Sequence, residues 1–395
     1  MIAELENTIQ AYAWGSRHAL AELRGDPGPT AGPEAELWMG THPLAPSRVG
    51  TQTLLDAIAA QPVAQLGPQV SAQYAGKLPF LLKVLAAAEP LSLQAHPSLA
   101  QARAGFAADE AAGIPLDAPQ RNYKDRNHKP ELLCALDEFW ALCGFRNVPE
   151  TLALLDELGV PALRPYRDAL FSEPDARDLK RLFSSLMQGS VETRRALADA
   201  TAAACRARDG RSVRFATEYR WAVRLAELYP GDVGLVSALL LNLLRLAPGE
   251  AIYLPAGNLH AYMGGTGIEI MANSDNVLRG GLTPKHVDVP ALLKVLDFEP
   301  LSVAPLRALA RGPERVYVTP AREFELSYFD LEAAPLEVAI DGPEIWLVTQ
   351  GSARLAATGQ PTLALERARS AFVSADTRSL QLSGEGRIFR AKVSM

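Results

Sequence analysis

The hydrophobic period changes twice along this chain of 395 residues, and each change restricts the folds it can adopt. Up to about residue 145, short alternating stretches between turns predict strands with one or two helices. From Pro149 apolar residues recur at the spacing of a helix, and from Leu241 onward most segments alternate again like strands. We therefore expect a mainly β protein with an inserted α-helical domain.

The central segment is predicted to be helical throughout. Leu152, Leu155 and Leu158 recur at the helical period, and Gly159 supplies an end for that helix. A second stripe of the same period precedes Gly189 and consists of Leu179, Leu182, Phe183, Leu186 and Met187. Further helices are expected at roughly 191–208, 213–229 and 232–240.

The last segment is predicted to be strands between Gly, Pro and Asp turns. The longest apolar run, at 235–246, is interrupted by polar residues and is interpreted as a buried helix passing into a strand. The strands expected after it are 251–254, 267–271, 316–319, 323–331, 344–349 and 387–393.

The composition argues against several classes of protein. The net charge is −6, and basic residues are scattered among acidic ones instead of forming the patch that binds nucleic acid or an anionic membrane. Residues 1–6 lack the pattern of a secretory signal and no apolar stretch is long enough to span a bilayer, so we expect a cytoplasmic protein. Three widely spaced cysteines without a CxxC pair argue against disulfides and thiolate zinc sites.

One short alternating stretch carries the most informative chemistry: Leu91-Ser92-Leu93-Gln94-Ala95-His96-Pro97. Successive side chains of a strand point to opposite faces, so Ser92, Gln94 and His96 are expected to line one surface while apolar residues line the other. One face is then apolar, and the opposite face can hold a ligand.

Three other segments, at 127–131, 255–260 and 269–279, offer matching polar groups. Imidazole suits zinc and other late divalent metals, and a carboxylate offsets part of the charge of the ion. A site of Gln94, His96, Glu131 and His260 would leave a divalent ion with net positive charge, able to polarise hydroxyl or carbonyl oxygens. The sequence therefore predicts a mononuclear metal site with mixed nitrogen and oxygen ligands.

The alternative for any single histidine is a hydrogen-bonded structural role. His18 is expected at the surface, His42 favours a structural role, and His286 favours a positioning role. Cys134 follows Glu131 by an odd number of residues, so a strand would place it on the opposite face and exclude it as a ligand.

Gly249, Pro255, Gly257 and His260 have the spacing of the second cupin signature, which this segment resembles. Pro255 and Gly257 are expected to shape the turn between two strands, so that the next strand presents His260 inside a barrel. Gly264 stands where the signature usually has Asn.

A longer set of motifs resembles type I mannose-6-phosphate isomerase, within the cupin superfamily. These motifs are Tyr12-Ala13-Trp14-Gly15-Ser16, Ala35-Glu36-Leu37-Trp38-Met39-Gly40, Pro79-Phe80-Leu81-Leu82-Lys83, the stretch at 91–97, Asn127-His128-Lys129-Pro130-Glu131 and the segment 253–288. They occur in the order of the family and cover most of the chain to about residue 300. The resemblance implies one zinc ion per chain, bound by Gln94, His96, Glu131 and His260, in agreement with the set chosen above.

The resemblance also implies an activity, the interconversion of mannose 6-phosphate and fructose 6-phosphate through a cis-enediol. A base must carry a proton between C1 and C2, and negative charge develops on sugar oxygens. The side chains that the resemblance implies face the phosphosugar are Trp14, Glu36, Ser92, Lys129, Tyr262, Asp275, Arg279 and Lys285.

The chemistry of these residue types suggests their roles. Arg279 forks toward oxyanions and is expected to stabilise the enediolate or the phosphate, the alternative being a salt bridge with Asp275 or Glu269. Lys129 lies two residues before Glu131 and is expected to act in proton transfer, the alternative being a simple ion pair.

The remaining candidates have roles that the sequence leaves open. Asp275 and His128 are candidates for ring opening or proton shuttling. Glu269 either binds the substrate or supports other side chains of the site without contacting the substrate. Lys285 suits phosphate recognition together with Arg279.

We expect cupin (jelly-roll) barrels, two in number. The predicted units are 1–145 and 241–310 for the catalytic cupin domain, 146–240 for a helical insertion domain, and 311–395 for a C-terminal cupin-like β domain. The expected partner is a hexose 6-phosphate, without nucleic acid or membrane, and the chain is expected to be a monomer or a weak homo-oligomer. Two alternatives stay open, an iron-dependent cupin dioxygenase and a non-catalytic cupin that binds sugar phosphate.

Overall fold

The computed structural model of the chain describes residues 1–172, 176–211, 214–332 and 334–394. Most of the described chain is β structure, arranged in sheets of eleven, nine and two strands. Between Val148 and Leu239 the described segments are helical. The order of strands, helices and strands is the order that the hydrophobic periods indicate.

The strands run in chain order as β1 (Ile2–Leu5), β2 (Thr8–Gln10), β3 (Glu36–Gly40), β4 (Arg48–Val49), β5 (Gln52–Thr53), β6 (Phe80–Ala87), β7 (Leu93–Ala95), β8 (Glu131–Ala135), β9 (Phe139–Phe145), β10 (Leu241–Leu246), β11 (Glu250–Leu254), β12 (His260–Ala272), β13 (Leu278–Gly281), β14 (Leu306–Arg307), β15 (Leu309–Arg311), β16 (Glu314–Tyr317), β17 (Glu325–Leu331), β18 (Leu336–Ala339), β19 (Glu344–Ala356), β20 (Leu363–Glu366), β21 (Ser370–Val373) and β22 (Ser379–Lys392).

The helices are α1 (Ala19–Arg24), α2 (Leu54–Ala60), α3 (Pro62–Leu66), α4 (Pro68–Gln73), α5 (Leu99–Ala111), α6 (Val148–Leu158), α7 (Arg164–Ser172), α8 (Ala176–Gln188), α9 (Val191–Arg208), α10 (Ala216–Leu228), α11 (Gly234–Leu239) and α12 (Val289–Val295). A turn of 3₁₀-helix, Pro161–Leu163, precedes α7. None of the described helices is long and apolar enough to cross a membrane.

The predicted helix signals are confirmed. Helix α6 ends at Gly159, whose φ of +67° is the left-handed conformation that glycine adopts without a steric penalty. All five apolar residues of the second stripe are buried along α8. The apolar run at 235–246 is a buried helix, α11, followed by strand β10. Residue 213, the predicted start of one helix, lies outside the described residues.

The long strand β12 organises the eleven-stranded sheet. Its C-terminal part pairs with β6 and β8, and its N-terminal part pairs with β7 and β9. The register shifts between Tyr262 and Gly264, where the strand passes from one set of partners to the other. Because β12 pairs with both sets of strands, it fixes the position of one set relative to the other.

The turn before β12 depends on one glycine. Gly257 has φ +81°, and a Cβ there would lie 3.1 Å from the carbonyl oxygen of Val295. Its backbone N–H donates to the carbonyl oxygen of His96 at 2.8 Å. The turn predicted from Pro255 and Gly257 therefore joins β11 to β12 and also fixes the chain at His96.

Strands β6, β8 and β12 are buried on both faces. On β6, Phe80, Leu82, Val84 and Ala86 belong to one apolar core together with residues of the nine-stranded sheet such as Phe372 and Phe389. The alternate residues of these strands face the other way, into the interior of the eleven-stranded sheet. The nine-stranded sheet thus covers the outer face of the sheet that carries the candidate ligands.

The first strand of the chain pairs with a strand near its C-terminus. Strand β1 pairs with β21, with Ile2 opposite Val373, so it lies in the nine-stranded sheet. Within the predicted unit 1–145, β1 therefore lies in a different sheet from β2, β3 and β6–β9, and the division into units stays a prediction. Long-range pairing of this kind leaves no local signal in the sequence, because the alternating pattern of either strand would fit several partner strands.

Candidate metal centre

Alternation along three strands points charged side chains into the sheet interior. Glu131 begins β8, Lys83 lies in the middle of β6, and Glu269 lies directly opposite Lys83 on β12. Cys134 lies on the other face of β8, where its Sγ is 3.0 Å from the hydroxyl of Tyr317. The odd spacing that excluded Cys134 as a ligand is therefore confirmed.

Three buried ligand atoms converge at one point of this interior. Nε2 of His96 and Nε2 of His260 each lie 3.4 Å from Oε2 of Glu131. The three side chains are at most 2% exposed, and their ligand atoms lie within 4.8 Å of one another. Among the described residues none of these three atoms has a hydrogen-bond partner. Buried polar atoms without partners are costly, so their convergence indicates a bound cation.

The two imidazoles are oriented by backbone carbonyls. Nδ1 of His96 donates to the carbonyl oxygen of Asn276 at 2.7 Å, and Nδ1 of His260 donates to that of Asn258 at 3.0 Å. Each Nε2 therefore keeps a lone pair directed at Glu131, the arrangement that metal-binding histidines show. Two imidazoles and a carboxylate suit zinc, so these residues fit the predicted ion.

The charges of the group also suit a cation. Burial would raise the pKa of Glu131, but Lys129 and the two imidazoles hold it well below its usual value. Burial lowers the pKa of His96 and outweighs the attraction of Glu131. An ionised carboxylate and a neutral imidazole are the protonation states that metal ligands require.

Gln94 lies on the same strand face as this group. It is directly opposite His260 in the pairing of β7 with β12, and opposite Arg279 in the pairing of β7 with β13. Directly paired residues present their side chains on one face of a sheet. The strand geometry therefore places Gln94 beside the three convergent residues, and it is half-buried.

Lys129 contacts the metal group directly. Its Nζ lies 2.9 Å from Oε1 of Glu131, the oxygen that does not face the histidines. Lys129 precedes β8 rather than belonging to it, and its side chain is 10% exposed. The sequence interpretation that Lys129 and Glu131 share a face agrees with this contact.

A second buried network lies beside the metal group and centres on Lys83. Its Nζ is 2.9 Å from Glu269 and 3.6 Å from Glu36. The phenol of Tyr262 donates to Glu269 at 2.8 Å, and the indole N–H of Trp38 donates to Glu36 at 2.6 Å. Burial alone would lower the pKa of Lys83, but the two carboxylates raise it above its usual value, so the lysine keeps its charge.

Arg279 is a half-buried cation on β13. Burial lowers the pKa of its guanidinium. Neither Asp275 nor Glu269, the two salt-bridge partners considered from the sequence, pairs with it, and the described chain offers it no other carboxylate. A partly desolvated guanidinium without an internal partner is suited to an oxyanion ligand.

Three predicted substrate residues lie at more open positions. Ser92 is half-buried just before β7, and Lys285 is exposed after β13. Trp14 stacks on Tyr12 with ring centroids 5.7 Å apart and packs against the apolar cluster that contains Tyr262. None of the described contacts ties Lys285 to the metal group.

Asp275 is paired with His42, for which the sequence favours a structural role. Its Oδ1 lies 3.1 Å from Nε2 of His42, and its side chain is 45% exposed. Burial raises the pKa of Asp275, but the hydrogen bond from His42 and the charges of Lys129 and Lys83 lower it overall. Asp275 is therefore within electrostatic range of both lysines.

His128 pairs with a carboxylate outside the metal group. Its Nε2 lies 2.8 Å from Oε1 of Glu323, in the loop before β17 of the nine-stranded sheet. Its neighbour Lys129 points to the metal group instead, because consecutive side chains of an extended chain diverge. The proton-shuttling role of His128 stays a prediction, and its observed partner is Glu323.

Sequence reasoning assigned no site role to Lys83, Trp38 or His42, although their segments were noted. Lys83 had a usable signal, since it is the one charged residue in the eight-residue apolar strand β6 and buried lysines are paired. His42 had no comparable signal. It follows β3 in a turn, where its direction depends on the distant Asp275.

Comparisons with known proteins agree with this geometry. Residues 2–148 match the family model "Phosphomannose isomerase type I, catalytic domain". The mannose-6-phosphate isomerase of Salmonella typhimurium is 42% identical over 402 residues, covering 98% of each chain. The human enzyme of the same name is 34% identical over 414 residues, covering 96% of this chain and 95% of the human one.

A solved structure of a zinc-bound mannose 6-phosphate isomerase is similar over its whole length. The two chains superpose with a TM-score of 0.92 at 39% identity, and each is covered completely. This likeness extends beyond the family-model match, since it includes the helical segment and the nine-stranded sheet.

Proposed function

The chain belongs to the type I phosphomannose isomerase family, and on that premise we propose that it interconverts mannose 6-phosphate and fructose 6-phosphate with one zinc ion per chain. The observation that carries this proposal is the convergence of His96, Glu131 and His260 on one buried point. Gln94 is the proposed fourth ligand. When bound, zinc supplies a Lewis acid beside the sugar oxygens.

The proposed roles in isomerisation follow from where the positive groups lie. The reaction moves one proton from C2 to C1 and another from O2 to O1, through a cis-enediol. Lys129 is the proposed group that carries the carbon-bound proton, because its Nζ lies against Glu131 at the metal group. Arg279, which has no carboxylate partner in the described chain, is proposed to stabilise the negative charge on the sugar oxygens.

Asp275 is the proposed group for opening the sugar ring. The cyclic form must lose the proton of its anomeric hydroxyl and gain one at the ring oxygen as the C1–O5 bond breaks. One carboxylate can accept the first proton and return it to the second oxygen, because both oxygens are bonded to C1. The part-exposed Asp275 is proposed to do this, and the charges of Lys129 and Lys83, which lower its pKa, favour the ionised form that the step needs.

The other predicted residues are proposed to hold the substrate. Tyr262, Glu36 and Glu269 belong to the Lys83 network and would align polar groups with the sugar hydroxyls. The remaining proposed contacts are made by Trp14, Ser92 and Lys285. Lys285 is proposed to bind the phosphate, since it is exposed and positively charged. His128 has no part in this proposal.

At the level of domains we propose two cupin-type barrels. The eleven-stranded sheet, built from strands on both sides of the helical segment, would form the catalytic barrel, and the nine-stranded sheet would form the second. The helices at 148–239 would be an insertion within the catalytic barrel, between β9 and β10 in sequence. A cytoplasmic location and a monomeric or weakly associated state stay predictions.

The test is a coupled assay that follows fructose 6-phosphate formed from mannose 6-phosphate, with zinc measured on the same sample. Chelation is expected to abolish turnover, and Glu131→Ala is expected to lose both zinc and turnover. His260→Ala should behave in the same way, whereas His18→Ala, at an exposed position, should match the wild type. A metal-free Glu131→Ala protein with full activity would refute the site. Bound iron and oxygen consumption would favour a dioxygenase instead.

A further inference from the structure

The ring of His42 is built into the wall of the site without facing the metal group. It follows β3 and is only 3% exposed. The edge of one ring meets the face of the other between His42 and Trp38, with centroids 4.7 Å apart and planes at 70°. Trp38 is fixed in turn by its hydrogen bond to Glu36. The imidazole therefore has a defined orientation before any substrate binds.

The hydrogen bonds of His42 define which nitrogen carries the proton. The backbone N–H of Leu44 donates to Nδ1 at 3.3 Å, so Nδ1 is an acceptor. In the neutral ring the proton is then on Nε2, which donates to Oδ1 of Asp275 at 3.1 Å. This tautomer is opposite to that of His96 and His260, whose Nδ1 atoms are the donors.

Asp275 is held from the other side by a separate set of bonds. Its backbone N–H donates to Oδ2 of Asp125 at 2.7 Å. The Asp125 carboxylate also accepts hydrogen bonds from Ser274, from the side chain of Asn276 and from the backbone N–H of Asn127. The main chain at Asp275 is thus fixed independently of His42. The contact with His42 then determines the rotation of the carboxylate itself.

Other charged groups also act on Asp275. Lys129 and Lys83 are cations that lower its pKa, and Asp125 is a neighbouring carboxylate. Lys124 and the phenol of Tyr12 also interact with it electrostatically. Among the described residues, His42 is the side chain that donates a hydrogen bond to this carboxylate.

We propose that His42 is a positioning residue for ring opening: its Nε2–H holds Oδ1 of Asp275, so that Oδ2 faces the anomeric centre of the sugar. The proton then leaves O1 for Oδ2 of Asp275 and is returned to O5 as the C1–O5 bond breaks and the C1–O1 double bond forms. His42 itself neither gains nor loses a proton in this step. The inference deepens the proposed function, because it rests on Asp275 being the group that opens the ring.

Two amide variants of His42 separate this role from simple packing. The amide nitrogen of Gln lies one carbon farther from the backbone than that of Asn, so His42→Gln can place an N–H near the position of Nε2. His42→Asn places its amide near Nδ1, which faces Leu44 rather than Asp275. Both variants remove the ring contact with Trp38 and serve as matched controls for packing.

Two measurements report on Asp275. Magnetisation exchange by NMR gives the rate at which the enzyme interconverts the α and β anomers of mannose 6-phosphate, and this requires ring opening but not isomerisation. The pH profile of kcat/KM reports the protonation of Asp275 on its acid limb. The hydrogen bond from His42 lowers the pKa of Asp275, so losing that bond raises it, and the acid limb moves to higher pH.

For His42→Asn we expect anomer exchange to slow about tenfold and the acid limb to rise by about one pH unit, the size typical of losing one charge-assisted hydrogen bond. For His42→Gln both should stay close to the wild type, and zinc content should be unchanged in both. Wild-type anomer exchange and an unmoved acid limb in His42→Asn would overturn the inference. Equal losses in the two variants would also overturn it, because they indicate packing alone.

The same experiment distinguishes failure of the underlying proposals. If Asp275→Asn keeps full anomer exchange, the ring-opening role of Asp275 is wrong, and the role proposed for His42 is then wrong as well. If Asp275→Asn loses exchange while both His42 variants keep it, only the inference about His42 is wrong. If the wild-type protein does not interconvert the two sugar phosphates at all, the proposed function itself is wrong.

Discussion

Replacing Lys83 by Met should cost both stability and turnover, and the chain contains its own control for separating the two. In the eleven-stranded sheet, Lys83 lies opposite Trp38 in register and 5.3 Å from the centre of its ring. The indole N–H of Trp38 donates to Glu36, two residues earlier on the same strand. Lys83 also forms ion pairs with Glu36 and Glu269.

The nine-stranded sheet repeats this arrangement with Arg390 in place of the lysine. Arg390 lies opposite Trp346 in register and 5.4 Å from the centre of its ring. The indole N–H of Trp346 donates to Glu344, again two residues earlier, at 2.9 Å. Arg390 forms ion pairs with Glu344 and, at 3.2 Å, with Glu314. The metal group of the first sheet has no counterpart among the described residues of the second.

The two networks should therefore contribute similarly to stability and differently to catalysis. Removing one partner of a buried ion pair typically destabilises a protein by about 3–5 kcal/mol. Met approximates the length of the lysine stem, so Lys83→Met leaves little cavity and the loss is mainly electrostatic. Removing a group that stabilises a developing oxyanion typically lowers kcat by about 10²–10³-fold. Of these two cations, Lys83 is the one that interacts with a residue of the metal group, since the charge of Glu131 acts on it.

The assay compares Lys83→Met with Arg390→Met. Calorimetric unfolding should show a lowered transition in both, and turnover is measured per bound zinc well below either transition. We expect Lys83→Met to lose at least about a hundredfold in kcat and Arg390→Met to stay within about threefold of the wild type. A folded, zinc-loaded Lys83→Met protein with near wild-type turnover would refute the reasoning, as it would assign the network to stability alone.

Three further outcomes follow from individual contacts. Arg279→Lys keeps the charge but loses the planar fork, so kcat/KM should fall about 10- to 100-fold in the coupled assay with unfolding unchanged; unchanged kinetics would contradict an oxyanion role. His128→Gln should lower the temperature of the thermal unfolding transition, because it weakens the pairing with Glu323, while kcat stays within about threefold of the wild type. A large fall in kcat would instead indicate a catalytic role for His128. Gly257→Ala should destabilise the folded protein by about 1–3 kcal/mol, because φ at this position is +81°. It should also weaken zinc binding, measured by chelator competition, because the turn contacts His96. A zinc affinity equal to that of the wild type would contradict that link.

Strand-borne parts of the site were predictable because alternation settles the face of a side chain. Gln94 and His96 were placed on one surface by spacing alone, and the pairing of Gln94 with His260 is consistent with that surface. The same rule excluded Cys134. The helix ends and stripes were equally accessible, because Gly159 and the apolar residues of α8 signal them locally.

Loop-borne histidines were not predictable for the opposite reason. His42 and His128 both lie outside strands, where no period constrains the direction of a ring. Each ring is oriented by a carboxylate about 200 positions away in sequence, His42 by Asp275 and His128 by Glu323. The sequence therefore offered no way to find the partner of either histidine. His42 faces Asp275, and His128 faces Glu323 beside the neighbouring sheet.

The repeated Glu-x-Trp arrangement bears on why a cation is buried in the catalytic sheet at all. In the nine-stranded sheet the network of Arg390 is saturated by two carboxylates and lies in a core with no convergent ligand atoms among the described residues. A network that serves stability alone would need no more than this. In the eleven-stranded sheet the cation is a lysine, and Glu269 also accepts from Tyr262, whose ring lies 6.2 Å from that of His260. Among the described residues, the Glu-x-Trp network thus adjoins a ligand of the proposed zinc ion in the eleven-stranded sheet and not in the nine-stranded one. For this reason we expect catalysis to depend on Lys83 and not on Arg390.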